Sequence, residues 1–184
     1  MEETQASRIA AMRTALGPDV LQRCLAVFDT EQQALAARVM PLASDCTYGP
    51  DPRHRLDVYA PAGAQGRPVL VFVHGGGFVL GDKAADGWSN AAVGRMAAER
   101  GWIGVVINYR LAPEHSWPAG SEDVARALDW VRANIAAHGG NPDSIILMGT
   151  SAGAVHCAGW LKLGATRDGV RGLVLLSGLY GYTP

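Results

Sequence analysis

The feature that most constrains what this chain can fold into is the stretch from Ile145 to Val155, Ile-Ile-Leu-Met-Gly-Thr-Ser-Ala-Gly-Ala-Val. An apolar run ends in Gly149-Thr-Ser151-Ala-Gly153, and a helical pattern of small residues follows. A G-x-S-x-G set between a strand and a helix describes a sharp turn that holds its serine at the apex. The first glycine lets the strand turn without a Cβ clash, and the second lets the helix pack close to the strand. Ser151 is therefore expected to present its hydroxyl from a strained backbone, and the remaining elements are expected to serve it.

The pattern around this stretch alternates strands with helices. Pro68 to Val73 is a continuous apolar run, as expected of a strand buried on both faces. A helix is predicted near Trp88 to Arg100, and a second buried strand over Trp102 to Ile107. Glu122 to Ala137 reads as a helix with Val124, Leu128, Val131 and Ile135 on one face and Ser121 as its N-cap, closed by Gly139-Gly140. Ser144 to Met148 is the strand leading to Ser151, Ala152 to about Leu163 the next helix, and Val170 to Ser177 a last strand. Upstream, residues 44–61 read as an antiparallel hairpin at a sheet edge, turning at Gly49-Pro-Asp-Pro52. Before it lie two helical patterns, residues 4 to 16 (Ile9, Met12, Leu16) and Pro18 to about Met40, broken by Gly17-Pro18. These form an N-terminal appendage, either a packed helical pair or part of a lid. The fold class is α/β, mainly a parallel sheet with helices on both faces, and in such sheets the ligand sits at the C-terminal strand ends. The loops after Val73 and Met148 both lie there.

Composition narrows the partners. In 184 residues with a formal net charge of −1 there is no long run of one sign, which weighs against the clustered basic face of a nucleic-acid binder. Cys24, Cys46 and Cys157 are odd in number and lack C-x-x-C spacing, so reduced thiols are expected in place of a metal site or disulfide. No window reaches the ~18 apolar residues of a membrane span. The acidic start, Met1-Glu-Glu-Thr-Gln5, shows no apolar signal-peptide core, so the expectation is a soluble cytoplasmic protein.

A serine hydroxyl is a weak nucleophile that needs a base, and attack on a carbonyl needs donors aimed at the oxygen that becomes negative. Losing one such donor costs ~2.7–4 kcal/mol of transition-state stabilisation. His74-Gly75-Gly76-Gly77-Phe78 follows a buried strand, and its glycines let backbone N–H groups face a substrate unobstructed. The N–H of Ala152, at a helix N-terminus, is the natural further donor. Two competing readings of the glycines are a plain tight turn and a phosphate loop. Gly76 to Gly81 has the four-residue gap of the latter, but Asp82 stands where that motif requires Lys and Ala84 follows Lys83.

On these motifs, with Asn108-Tyr-Arg-Leu-Ala-Pro-Glu-His115, Trp117-Pro118 and Asp123, the chain resembles the hormone-sensitive-lipase-like bacterial carboxylesterases of the α/β-hydrolase fold. The resemblance runs from about Ser44 to the end. It divides the chain into N-terminal cap helices (1–43) and the N-terminal portion of a hydrolase core (44–184). It implies hydrolysis of carboxylic esters, usually of short to medium acyl chains, without a cofactor or metal. Ser151 would be the nucleophile, and N–H groups of Gly75, Gly76 and Gly77 with that of Ala152 the oxyanion hole, Gly76 foremost. Thr150 matches the G-T-S-A-G subgroup, which suggests a homodimer. Arg110 and Glu114 are expected to pair and pin their turn, and His115 to pack structurally.

The resemblance also implies a catalytic acid and histidine downstream of the nucleophile in the order Ser, acid, His. Pro184 lies 33 residues beyond Ser151 (184 − 151), and the sole later histidine is His156, five residues on and expected to point away from the hydroxyl. Asp168 precedes the last strand and reads as a surface turn residue. The expectation is that the acid, the histidine and the last two β/α units lie outside these residues, leaving Leu173 to Leu176 as an apolar edge. The missing units would belong to a longer protein or to a second polypeptide associating with this one. A chain so truncated would be inactive alone. The alternatives are a non-catalytic ligand-binding module, as in the gibberellin receptors that resemble this branch, a naturally truncated and inactive hydrolase, and an amide or formamide hydrolase using the same serine chemistry.

Overall fold

The computed structural model describes residues 4–12, 18–84 and 90–181. Its centre is a six-stranded sheet in the order β1-β2-β4-β3-β5-β6. The strands are β1 (Ala43–Thr47), β2 (Arg55–Tyr59), β3 (Arg67–Val73), β4 (Ile103–Ile107), β5 (Gly140–Thr150) and β6 (Val170–Leu176). β1–β2 and β2–β4 are antiparallel, whereas β3–β4, β3–β5 and β5–β6 are parallel. The hairpin is where the sequence predicts it, with β1 at the edge.

The continuous apolar strands are continuous because both faces are covered. Val69, Val71 and Val73 of β3 and Ile103, Val105 and Ile107 of β4 join one core, completed by helices α4 (Ala119–Asn134) and α5 (Ala152–Lys162). Phe72 and Val106 face the other way, into a smaller core with Tyr59 and with Ala91 and Ala98 of α3 (Ala91–Glu99). Strand alternation thus sends successive side chains of one apolar run into two cores. A short 3-10 turn, Ile135–His138, extends α4 and ends on Gly139 in the left-handed region at φ 83°. Beyond β6 no further strand is present among the described residues, and Val174 and Leu176 are exposed, the apolar edge expected from the sequence.

Helices α1 (Gln5–Ala11) and α2 (Pro18–Arg38) precede the sheet. Thr4 caps α1 by accepting the Ser7 N–H at 3.2 Å. α2 ends against α3 through the Arg38–Glu99 ion pair at 2.6 Å, and Val39 packs on the smaller core. The expected positions of Leu16 and Trp88 lie outside the described residues.

Two local expectations are corrected. Ser121 does not cap α4: the helix begins at Ala119, and Ser121 is inside its first turn, buried, its N–H bonded to Pro118 O at 2.8 Å. Small size explains the placement, since a Cβ on Gly159 of α5 would stand 2.2 Å from Ser121 Oγ. The two helices touch where their side chains are smallest. Arg110 does not pair with Glu114 either. Its guanidinium reaches Asp123 at 2.8 Å and Glu122 at 3.1 Å on α4, because buried Asp123 offers a carboxylate that also accepts the Arg110 backbone N–H.

Candidate active site

Ser151 lies between β5 and α5 with φ 51° and ψ −121°, a conformation that side chains with a Cβ rarely adopt, and its side chain is exposed. Three constraints hold it there. Its N–H donates to Leu176 O at 2.8 Å, tying the turn to β6. A Cβ on Gly149 would come within 2.6 Å of the Gly153 main chain. A Cβ on Gly153 would come within 2.2 Å of Val73 O. Both glycines of the motif are therefore required by close backbone approach, and the strained serine is over-determined by its surroundings.

The glycine loop lies against this serine: a Cβ on Gly75 would stand 3.2 Å from Ser151 Cβ. How the loop is aimed follows from its carbonyls. Tyr109 donates its hydroxyl to His74 O at 3.0 Å. His74 Nδ1 lies 2.6 Å from Gly75 O, so Nδ1 carries the proton. Val79 and Leu80 N–H both donate to Gly76 O. In a trans peptide the carbonyl and the next N–H point in opposite directions. Turning these three carbonyls toward protein donors therefore turns the N–H groups of Gly75, Gly76 and Gly77 away from those donors. None of the three makes a hydrogen bond among the described residues. Ala152, buried at the start of α5, adds an N–H at a helix N-terminus.

His74 is fully buried, and burial depresses its pKa, although the bond to Gly75 O works the other way. It is neutral at pH 7 and acts as a donor that shapes the loop. Its ring stacks on Tyr109 at 4.5 Å. His156 is buried on α5 and makes edge contacts with Tyr109 at 4.6 Å and Phe78 at 5.3 Å; it makes no hydrogen bond to Ser151. His115 is partly exposed, 3.6 Å from Asp51. Asp168 is an exposed turn residue whose carbonyl accepts Arg132 Nε. The structure thus sets Gly75, the first residue of the glycine loop, against Ser151, with Ala152 next to it at the start of α5, and keeps His115, His156 and Asp168 out of hydrogen-bonding contact with it.

Spacing alone did not single out the scaffold behind the loop. Arg53, on the β1–β2 turn, donates to Tyr109 O at 2.7 Å and to Gly81 O at 2.8 Å, clamping both ends of the site's support. Asn108 accepts the Lys83 N–H at 2.6 Å and donates to Asp82 at 2.7 Å. Lys83 Nζ bridges Asp45 and Asp57 at 2.8 and 2.9 Å. Burial opposes its charge, but the hydrogen bonds to these carboxylates outweigh that and raise its pKa. With Asp82 and Lys83 so engaged, the phosphate-loop reading is excluded. Beneath Asn108 and Tyr109, buried Asp123 accepts from His54 at 2.9 Å as well as from Arg110. Pairs this far apart in sequence carry no local signal; the signal available was Asp57, a carboxylate set between the apolar residues Leu56 and Val58. Among the described residues no group of three or more His, Cys, Asp or Glu could hold a metal, and no helix is long and apolar enough to cross a membrane.

Comparison with known proteins finds esterases among those similar to this chain. The BD-FAE family model matches residues 56–168. Esterase LipQ of Mycobacterium tuberculosis is 40% identical over 176 residues, covering 85% of this chain and 40% of LipQ. Among solved structures, the thermostable carboxylesterase EstE1 from a metagenomic library superposes with a TM-score of 0.63 at 28% identity, over 91% of this chain and 57% of EstE1. An esterase of Pyrobaculum calidifontis gives 0.61 at 30% identity, over 92% and 56%. The chain spans about two fifths of the length of LipQ. It belongs to the BD-FAE family, on the α/β-hydrolase fold of the hormone-sensitive-lipase-like carboxylesterases.

Proposed function

We propose that the protein is a serine carboxylesterase in which Ser151 is the nucleophile. The observation that carries the reading is a strained, exposed Ser151 packed against a glycine loop at Gly75, in which three successive N–H groups, Gly75 to Gly77, have no acceptor among the described residues. In this reading Ser151 Oγ attacks an ester carbonyl and passes its proton to a base. The carbonyl oxygen becomes an oxyanion held by two of the loop N–H groups and that of Ala152. The tetrahedral intermediate collapses with loss of the alcohol, and water then releases the acid from the acyl-enzyme.

The base and its acid are assigned to residues outside these 184. His74 already donates Nδ1–H to Gly75 O, and His156 faces Tyr109 and Phe78. Small esters of short to medium acyl chains are the proposed substrates, with no cofactor required. The division at residues 43 and 44 into cap helices and hydrolase core, and a homodimer, belong to the same proposal.

The test is turnover of p-nitrophenyl esters, with matched anilides as the amide arm, by the whole protein and its Ser151→Ala variant. Ester turnover lost in the variant is expected. Retained turnover, or a preference for the anilides, would overturn the reading.

A further inference from the structure

His156 is a buried titratable group that the reaction does not use. Both its ring nitrogens are buried with no hydrogen-bond partner among the described residues, an unusual state for so polar a side chain. Its contacts are aromatic: Phe78 edge-on at 5.3 Å and 86°, and Tyr109 at 4.6 Å and 64°. Tyr109 in turn stacks on His74. A third side is the backbone of α4, where a Cβ on Gly120 would stand 2.4 Å from the imidazole. The ring is therefore wedged between the nucleophile's helix, the start of α4 and the outer end of the glycine loop.

Phe78 is the residue that needs such a support. It sits at φ 71°, in the left-handed region that a bulky side chain avoids. Among the described residues, besides the turn bonds of Val79 and Leu80, one hydrogen bond secures it, from Ala112 N–H to Phe78 O at 2.9 Å. His156 lies five residues after Ser151 on the same helix, so a ring contact from His156 to Phe78 fixes the loop to the element that carries the serine.

We infer that His156 is a positioning residue. Its imidazole ring is a strut that holds Phe78, and through it the Gly75–Gly77 amides, in register with Ser151. This rests on the proposed esterase reading. A strut acts on the geometry of the transition state more than on substrate affinity, so its loss lowers kcat and spares KM.

The experiment compares His156→Ala, Phe78→Ala and the double variant in the whole protein, with Ser151→Ala alongside. Expected are a fall in kcat of about ten-fold or more for each single variant with KM within about three-fold, and a double variant no worse than the poorer single one. Exchange of the Ala112 amide should quicken about ten-fold in His156→Ala, while β4 amides keep their protection. If His156→Ala does not fold, His156→Leu takes its place, filling much of the volume without a ring. Unchanged kcat, multiplicative losses in the double variant, or an unaltered Ala112 amide in the folded His156 variant would overturn the inference. Turnover retained in Ser151→Ala would overturn the esterase reading alone, and the Ala112 exchange decides the strut whether or not ester is turned over.

Discussion

Gly153→Ala offers a severe test because two effects of known size oppose each other there. In the first turn of α5, alanine is worth up to about 1 kcal/mol over glycine on helix propensity. Against this, the new Cβ would lie 2.2 Å from Val73 O and 2.4 Å from His74 O. Even a carbon–oxygen contact of the C–H···O kind needs about 3.3 Å, so α5 and the end of β3 must part by roughly 1 Å. Neither obstacle can rotate aside: both are main-chain carbonyls, and His74 O accepts the Tyr109 hydroxyl. Overpacking of this kind costs about 1–3 kcal/mol, so the net expectation is a loss of about 1–2 kcal/mol in urea unfolding. The same displacement moves Ser151 relative to the glycine loop, where a shift of about 1 Å costs on the order of 100-fold in rate. Reactivity toward a fluorophosphonate should therefore fall further than stability does. Gly172→Ala in β6 is the control, because its Cβ would meet only the Cδ1 tip of the Ile146 side chain, at 3.3 Å. A Gly153→Ala protein of parental stability and reactivity would refute the close-approach account of the motif.

Two further outcomes follow from buried charge. Asp123 is fully buried and accepts from His54, the Arg110 side chain and the Arg110 N–H, so Asp123→Ala strands two partners and should cost about 3–5 kcal/mol in chemical unfolding; a cost under about 1 kcal/mol would contradict the network's role. Burial lowers the His156 pKa from 6.5 to about 4, with nearby Asp123 opposing and His74 adding to the effect. The unfolded chain then binds the proton more readily than the folded one. This stability is complete above pH 6.5, is lost as pH falls toward 4, and amounts to about 3 kcal/mol at most. His74 is shifted in the same direction. Urea unfolding at pH 7.5 and 5 should show the decline, and His156→Leu should show less of it; equal declines would contradict the assignment.

What the sequence made legible was local. Gly149, Gly153 and the apolar runs 68–73 and 102–107 report backbone approach and two-sided burial directly in residue type, so the elbow and the central strands could be read. The glycine loop's position was readable from strand order, but its aim was not, because the aim depends on Tyr109 and His74 acting on successive carbonyls. Asp123 illustrates the limit. As a helix residue near Arg110 it gave no sign of pairing with His54, 69 residues earlier. Ser121 misled for a different reason: serine favours helix caps intrinsically, yet here its small size against Gly159 decided the outcome. Arg110 and Glu114 were close in sequence and suitably charged, but the buried carboxylate of Asp123 competed better for the guanidinium.

The central claim is that Ser151 is a nucleophile served by the Gly75–Gly77 and Ala152 amides. Its most direct test is covalent: treat the whole protein with a fluorophosphonate, digest it and locate the adduct by mass spectrometry. A single stoichiometric adduct on the peptide carrying Gly149 to Gly153, absent in Ser151→Ala together with ester turnover, is the result predicted. An adduct on another residue, or turnover that survives Ser151→Ala, would contradict the account.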